Sequence, residues 1–389
     1  MSNGRESINV IGAGPAGLVA AINLARAGVD VVLHESAPTV GHRFHGDFQG
    51  VENWTTISDV RDVLKRINVE VNFRFEPYRG GIFISPGLQR REIRTREPLF
   101  YLVERGGAEG CLDFGLLRQA EAAGVKMAFN ARTWNVDRGG LIAVGPRAAD
   151  MIAKGVVFET NLDDEAYAIV DDRLAPKGYA YLLVNHGRAT LATVIGKDFR
   201  NEKIYFERTF EAFNKLVPMR MEKAKEFGGY GNFFLRPTAI EGKKLYLGES
   251  AGFQDALFGF GMRYAMTSGF LAAQSVIHNK PYDDLWKKEM LPLLRTSLAN
   301  RLIYEFLGNP GYEYIAKRIA QRRDLRQVLR MAYNPSLLKI TLFPAALALG
   351  NVLKRLKVED KSCHHENCSC VWCTHMKQEV SLVACHESE

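Results

Sequence analysis

The stretch "SINVIGAGPAGLVAAINLARAGVDVVLHES" (7–36) constrains the fold more than any other part of the chain. Ile8, Val10 and Ile11 begin a short buried strand. Gly12, Ala13, Gly14, Pro15, Ala16 and Gly17 spell G-x-G-x-x-G, with Pro15 in the first turn of the helix that follows. Gly28 closes that helix, "VDVVLHE" is a second strand, and Glu35 ends it. Each part has a mechanical reason. Gly12 makes the tight strand-to-helix turn, Gly14 lets backbone approach a pyrophosphate, and Gly17 allows the helix to pack closely on the strand. The helix N-terminus offers unpaired N–H groups and a partial positive charge to phosphate. Glu35 stands where an acid accepts hydrogen bonds from an adenosine ribose. Strand, helix, second strand and terminal acid in register make this a dinucleotide-binding unit.

The chain has 389 residues, 47% apolar and 24% charged, enough for two or three domains around a sizeable core. The net charge of +7 favours an anionic partner, whether phosphorylated cofactor, acidic protein or anionic membrane surface, and is too diffuse to argue for nucleic acid. No basic and apolar leader precedes the first strand, so a cytoplasmic protein is expected. No apolar run is long enough to span a bilayer. For "ITLFPAALALGNVL" (340–353), with its basic flanks, two readings stay open: a packed C-terminal helix, or an interfacial helix on a bilayer.

The dinucleotide motif does not choose FAD over NAD. "GKKLYLGESAGFQDALFGFGMRYAMTSGFLAA" (242–273) reads as a strand, a glycine-rich loop and a helix from about Gly259. It resembles the second flavin-contact motif of the para-hydroxybenzoate-hydroxylase-like flavoproteins. That resemblance implies that Glu249 contacts the flavin ribitol or pyrophosphate. It also implies that the loop through Gly259, Phe260, Gly261 and Met262 presents backbone N–H groups to the flavin.

Over residues 7–280 the chain resembles the geranylgeranyl reductases, flavoproteins that saturate isoprenoid double bonds. Besides the two motifs above, "LVERGGAEGCLDFGLLRQAEAAGVK" (102–126) and "KGYAYLLVNHGRATLATVI" (177–195) carry the likeness. The resemblance implies Arg105 near the cofactor phosphates, and Tyr179 and Tyr181 lining a substrate cavity. Alternation along a strand puts both tyrosines on one face. The chain departs from the family pattern in places: Glu249 stands for Asp, Ala256 for Pro, and Tyr181 and Leu183-Val184 for the Trp and Phe-Pro of the cavity segment. "RFHGDFQG" (43–50) sets His45 and Asp47 where the family shows Cys and Glu near the flavin. His45 is therefore a candidate proton donor for alkene reduction, Asp47 a second catalytic candidate, and Arg43 a partner for phosphate or reduced flavin.

A Rossmann-like FAD-binding domain is thus expected from residues 1–50, 95–150 and 240–280, in an α/β fold. An inserted antiparallel-sheet substrate domain is expected from 51–94 and 151–239, and a helical C-terminal region from 281–360. "GVVFET", "AYAIVDD", "YAYLLVN" and "ATLATVIG" are short β-branched or aromatic runs, and 73–87 reads as a further hairpin. Phe158, Tyr167, Phe233 and Phe234 join the two tyrosines as candidates for an apolar pocket, with ordinary core as the alternative. The helical region reads as three segments, the first with Leu285, Leu291, Leu294 and Leu298 at near-helical spacing. The chain has no second G-x-G-x-x-G on a strand, no C-x-x-x-x-C following the first helix and no W-x-W-x-I-P. These absences argue against a built-in NAD(P)H domain, a redox disulfide and a halogenase.

Residues 361–389 form a Cys/His-rich tail, in which Cys363, Cys368, Cys370 and Cys373 space as C-x4-C-x-C-x2-C. Zinc, an iron–sulfur cluster and free thiols all stay open for it. The function expected is reduction of carbon–carbon double bonds in a polyprenyl or other unsaturated lipid by hydride from reduced flavin. NAD(P)H or a redox protein would be the electron donor. The alternatives are a flavin monooxygenase of an apolar substrate and a flavin electron-transfer protein.

Overall fold

In a computed structural model of the chain, the structure describes residues 7–358 except 134, 135, 137, 138, 147, 148 and 323, with backbone alone for 350–358. Among the described residues the strands form three sheets. The first begins with the dinucleotide fingerprint. Ile8–Ile11 pairs in parallel with Val31–His34 on one side and Gly140–Ile142 on the other. Lys126–Ala128 extends the sheet beyond the second strand, and the Ile240–Glu241/Lys244–Tyr246 hairpin closes the other edge. Helix Pro15–Arg26 lies against this sheet with Leu18, Val19, Ile22 and Leu24 fully buried. Burial around most of the helix means that other elements cover it as well as the sheet.

Helix Met262–His278 crosses helix Pro15–Arg26, and the closest approach is dictated by one residue. A Cβ on Gly269 would lie 2.2 Å from the Ala16 carbonyl oxygen, so the backbones touch where any side chain would separate them. Helix Leu112–Ala122 packs on the same first helix. Tyr282 and Trp286, on helix Tyr282–Glu289, fill the space beneath and are about 1% exposed.

The second sheet has seven strands in the order Glu222–Gly231, Met151–Glu159, Arg188–Ile195, Tyr179–Asn185, Glu165–Ile169, Gly80–Ser85, Gln89–Arg94. All neighbours are antiparallel except Glu165–Ile169 with Gly80–Ser85. The four runs expected from 155–196 are its centre. One face is packed by helix Glu202–Leu216 through Phe213 and Ala212 onto Val156, Phe158 and Leu191. A third sheet has three antiparallel strands in the order Phe48–Glu52, Phe100–Glu104, Glu76–Tyr78.

Several expectations are corrected. Residues 51–75 were assigned with the substrate sheet, yet Val60, Val63, Leu64, Phe73 and Phe75 are buried in the same core as the fingerprint helix. Only the strands after Gly80 join the seven-stranded sheet, so the hairpin is 80–94 rather than 73–87. The first C-terminal segment is not one helix. Leu285 belongs to Tyr282–Glu289, and Pro292 starts a new helix, Leu291–Ala320, that carries Leu294 and Leu298. That helix is itself broken at Gly308, with φ 60° and ψ −176°. Helices Leu325–Tyr333 and Leu337–Val358 complete the chain described.

The crossing at Gly269 yields a direct test. Gly269→Leu is expected to destabilise the protein by about 3 kcal/mol or more, since neither backbone can yield without moving a helix. Chemical denaturation of the variant reads this, and unchanged stability would mean the helices do not meet there.

Candidate functional site

Gly12 takes φ +100°, and a Cβ there would strike the Ala143 carbonyl oxygen at 2.4 Å. A Cβ on Gly17 would lie 2.0 Å from the Gly12 oxygen, which is the close helix–strand packing the spacing requires. Gly14 differs. A Cβ on it meets nothing within 4 Å, so this stretch of backbone faces open space. No side chain caps the helix at Gly14. Glu35 is held at the end of its strand, Oε2 accepting from the Ala13 N–H (2.8 Å) and Oε1 from the Ala37 N–H (2.9 Å). Gly12, Gly14, Pro15, Ala16 and Glu35 all line one cavity of about 1230 Å³.

The second helix N-terminus reaches the same cavity. Gly261 is the N-cap of Met262–His278, a helix that starts three residues after the start expected near Gly259, and it too lacks a side-chain cap. Gly259, Phe260, Gly261 and Met262 line the cavity with Glu249. The loop that carries them is shaped by Asp255, a residue the sequence reading passed over. Its Oδ2 accepts from the Phe258 N–H (2.8 Å) and its Oδ1 from the Ser297 hydroxyl (2.7 Å). The nearby signal was an Asp three residues before a turn, where such a side chain binds backbone N–H groups. Ala256 stands where the family carries Pro, and its N–H donates to the Ser297 oxygen (2.5 Å), a bond proline cannot make.

Arg105 is buried, holds Asp113 through Nε (2.8 Å) and Nη2 (2.9 Å), and lies 4.2 Å over the Phe44 ring. Its Nη1 donates to Gln49 Oε1 (3.1 Å), so much of its hydrogen-bonding capacity is already used within the protein. Arg43 is exposed and borders the cavity. Glu249 is partly buried, and its Oε1 accepts from the Asn232 N–H (3.3 Å). Burial pushes its carboxyl up to about 7, while Arg43, the Asn232 N–H and Arg105 pull it back.

Asp47 is 1% exposed and lines the cavity, with Oδ2 bonded to nothing. Burial raises its pKa, opposed by backbone hydrogen bonds and by Arg105. His45, its neighbour in the expectation, is placed elsewhere. Its ring is exposed and does not line the cavity, and what it contributes is a backbone N–H to Asp47 Oδ1 (2.8 Å). Tyr179 and Tyr181 line the cavity together, ring centroids 6.0 Å apart. The Tyr179 hydroxyl donates to the Phe258 carbonyl (2.8 Å), tying the sheet to the glycine loop. Tyr167 and Phe233 also line the cavity. Phe158 does not, being packed under the sheet against helix Glu202–Leu216, and Phe234 is not in the wall.

Two further walls were not foreseen. Phe258 packs on Tyr304 (5.4 Å), which stacks on Tyr312 (4.7 Å), carrying the aromatic lining into the C-terminal helices. Trp54 meets Phe260 (5.0 Å) and Tyr333 (5.6 Å), and these three also border the cavity. Cys363, Cys368, Cys370 and Cys373 lie outside the described residues. Among the described residues no group of three or more His, Cys, Asp or Glu is arranged to hold a metal.

The chain overlays a geranylgeranyl bacteriochlorophyll reductase-like protein from Thermoplasma acidophilum over 86% of its own length and 98% of that chain, with TM-score 0.67 and 16% identity. A flavin-dependent brominase, Bmp2, matches over 89% of this chain and 99% of its own, with TM-score 0.60 and 14% identity. The myxobacterial chondrochloren halogenase CndH, an FAD-dependent halogenase, matches over 88% and 97%, with TM-score 0.57 and 17% identity. The fold is that of the FAD-dependent oxidoreductases. Within it, residues 10–51 match the model of the NAD(P)-binding Rossmann-like domain. A thiamine thiazole synthase from Pyrococcus abyssi is 26% identical over 110 residues, 27% of this chain, which spans 42% of that protein.

The residues present fit FAD. Two uncapped helix N-termini meet one cavity, Gly14 leaves a strip of backbone open, and Gln254 Oε1 is buried in the wall without a partner. Gly12, Gly14, Ala16 and Glu35 would hold the dinucleotide end, and Glu249 with Gly259–Met262 the flavin end.

Glu249 makes stability depend on pH in the flavin-free protein. Its folded pKa of about 7 lies above its ordinary 4.5, so between those values the folded chain keeps a proton that the unfolded chain has lost. Stability therefore falls as pH rises from 4.5 to about 7 and levels off above, by about 3 kcal/mol in all. Relative to wild type, flavin-free Glu249→Gln should lack this decline when melting temperature is followed from pH 5 to 8. Matching profiles would show that Glu249 is not buried as described.

Proposed function

We propose that the chain is an FAD-dependent reductase of carbon–carbon double bonds in an elongated apolar substrate, of the polyprenyl or unsaturated-lipid kind. The observation that carries this reading is the continuity of the cavity. It runs from the open turn at Gly14, past Glu249 and the 259–262 loop, to a wall of Tyr179, Tyr181, Phe258, Tyr304 and Tyr312. At about 1230 Å³ it exceeds the range of about 300–1,000 Å³ usual for a site that holds one small ligand. It suits a cofactor and a long apolar molecule end to end.

Reduced FAD, when bound, supplies hydride to one carbon of the double bond. The protein must then deliver a proton to the other carbon. Asp47 is the group suited to hold it: buried in the cavity wall, with a free Oδ2 and a pKa raised by burial. The His45 N–H orients its other oxygen. Tyr181 faces the same cavity and stays neutral because burial lifts its pKa well above the usual value. It is a donor that can relay or position that proton. Tyr179, whose hydroxyl is committed to Phe258, braces the wall. The aromatic lining excludes water from the reacting carbons. With one G-x-G-x-x-G in the chain, reducing equivalents would come from a separate redox protein or from NAD(P)H that docks at the cavity.

The likeness of the fold to halogenases that use flavin favours a second reading, an oxygen-using monooxygenase of an apolar substrate. Anaerobic stopped-flow absorbance separates the two. The photoreduced protein should be reoxidised by a polyprenyl alcohol or diphosphate without oxygen, and Asp47→Asn should keep its flavin spectrum while slowing that step about 100-fold or more. Reoxidation by oxygen alone, with a hydroxylated product, would decide for the second reading.

A further inference from the structure

Helix Leu325–Tyr333 turns one apolar side to the cavity, and an exposed apolar cluster gathers beyond its other side. Leu325, Leu329 and Tyr333 line the cavity wall. On the other side Met331 is 69% exposed. Beside it, Leu337, Leu338 and Ile340 are 85%, 63% and 61% exposed at the start of the next helix, and Ile57 is 77% exposed. Hydrogen bonds draw these five into one neighbourhood. Lys339 Nζ donates to the carbonyls of Met331 (3.0 Å) and Asn334 (2.9 Å), which folds the next helix back over the end of Leu325–Tyr333. Arg326 Nη2 donates to the Ile57 carbonyl (3.0 Å), and Asn334 Nδ2 to that of Thr55 (2.9 Å), which fastens loop 53–58 to the same helix. A single helix therefore separates an apolar cavity from an apolar surface.

The stretch of sequence that carries four of these five residues is one-sided in charge. Residues 314–358 contain ten Lys and Arg against one acid, Asp324, a larger excess than the +7 of the whole chain. A second copy seated here by a two-fold axis would set this basic stretch against itself, which like-charge repulsion opposes. An anionic bilayer satisfies both features: apolar side chains enter the headgroup boundary, and the basic residues meet the lipid phosphates. No described helix is long and apolar enough to cross a membrane, so the contact is with the surface.

We infer that the face formed by Ile57, Met331, Leu337, Leu338 and Ile340 seats the protein on an anionic bilayer, with helix Leu325–Tyr333 as the wall between the bilayer and the cavity. The docking itself stands independently of the flavin chemistry. Only the suggestion that an apolar substrate comes to the cavity from that side rests on the reductase reading.

Flotation of the full chain with lipid vesicles tests the inference. Binding to vesicles of phosphatidylcholine with phosphatidylglycerol should be about tenfold or more tighter than to phosphatidylcholine alone, and should weaken with salt. The double variant Leu338→Asp/Ile340→Asp should retain its flavin spectrum and melting temperature, and lose vesicle binding about tenfold or more. Both side chains are exposed and outside the cavity wall, so folding is not at stake. Failure of the full chain to float with anionic vesicles at low salt would overturn the inference, including the case where residues 359–389 cover this face. A dimer in light scattering that the double variant converts to monomer would overturn it in favour of a contact between copies. Loss of flavin with vesicle binding intact would count against the FAD reading and leave the docking face standing.

Discussion

The contact of helix Met262–His278 with helix Pro15–Arg26 at Gly269 is what the site depends on. One backbone rests on the other at the Ala16 carbonyl, with no room for a Cβ between. Both helices begin at a glycine N-cap without a side-chain partner, and both begin in the wall of the same cavity. Had either been capped by its own Ser or Asp, its free N–H groups would be satisfied internally and lost to a ligand. The crossing therefore places two partial positive charges where an anionic dinucleotide and an electron-rich ring system would lie.

The acids follow from that geometry. Asp47 is buried and Glu249 partly buried in a wall that also holds Arg105 and borders Arg43, yet Arg105 is already paired with Asp113. Partial compensation leaves both carboxyls with raised pKa values, because desolvation outweighs the arginines' attraction. Asp255 shows the opposite use of a buried acid. It is bonded to Ser297 and to the Phe258 N–H, so its work is to shape the loop that presents Gly259–Met262.

What the sequence revealed and what it hid divide along a physical line. The fingerprint was legible because each of its residues answers a local demand: Gly12 a positive φ, Gly17 a close carbonyl, Glu35 two nearby N–H groups. The central strands of the second sheet were legible because their side chains alternate or are uniformly apolar. Strand Glu222–Gly231 was not, since its first half is exposed Glu and Lys on a sheet edge and its second half is rich in glycine. Residues 51–75 fall to the substrate domain in the sequence, though Val60, Leu64 and Phe73 share the core of the fingerprint helix, because their partners are distant in sequence. Trp54 and Tyr333 stand 5.6 Å apart across 279 positions, a proximity no local pattern encodes. His45 was misplaced for a related reason: position in a motif put it beside Asp47, and backbone direction turned its ring away from the cavity.

The central claim is that an FAD lies along the open turn at Gly14, and flavin content of a Gly14→Val variant tests it most directly. A side chain there meets no protein atom within 4 Å, and the residue's φ of −78° and ψ of 176° suit valine. The variant's flavin-free fold should therefore melt as wild type does, while flavin absorbance after purification should fall to about a tenth or less of one FAD per chain. Retention of stoichiometric FAD by a folded Gly14→Val protein would contradict the account.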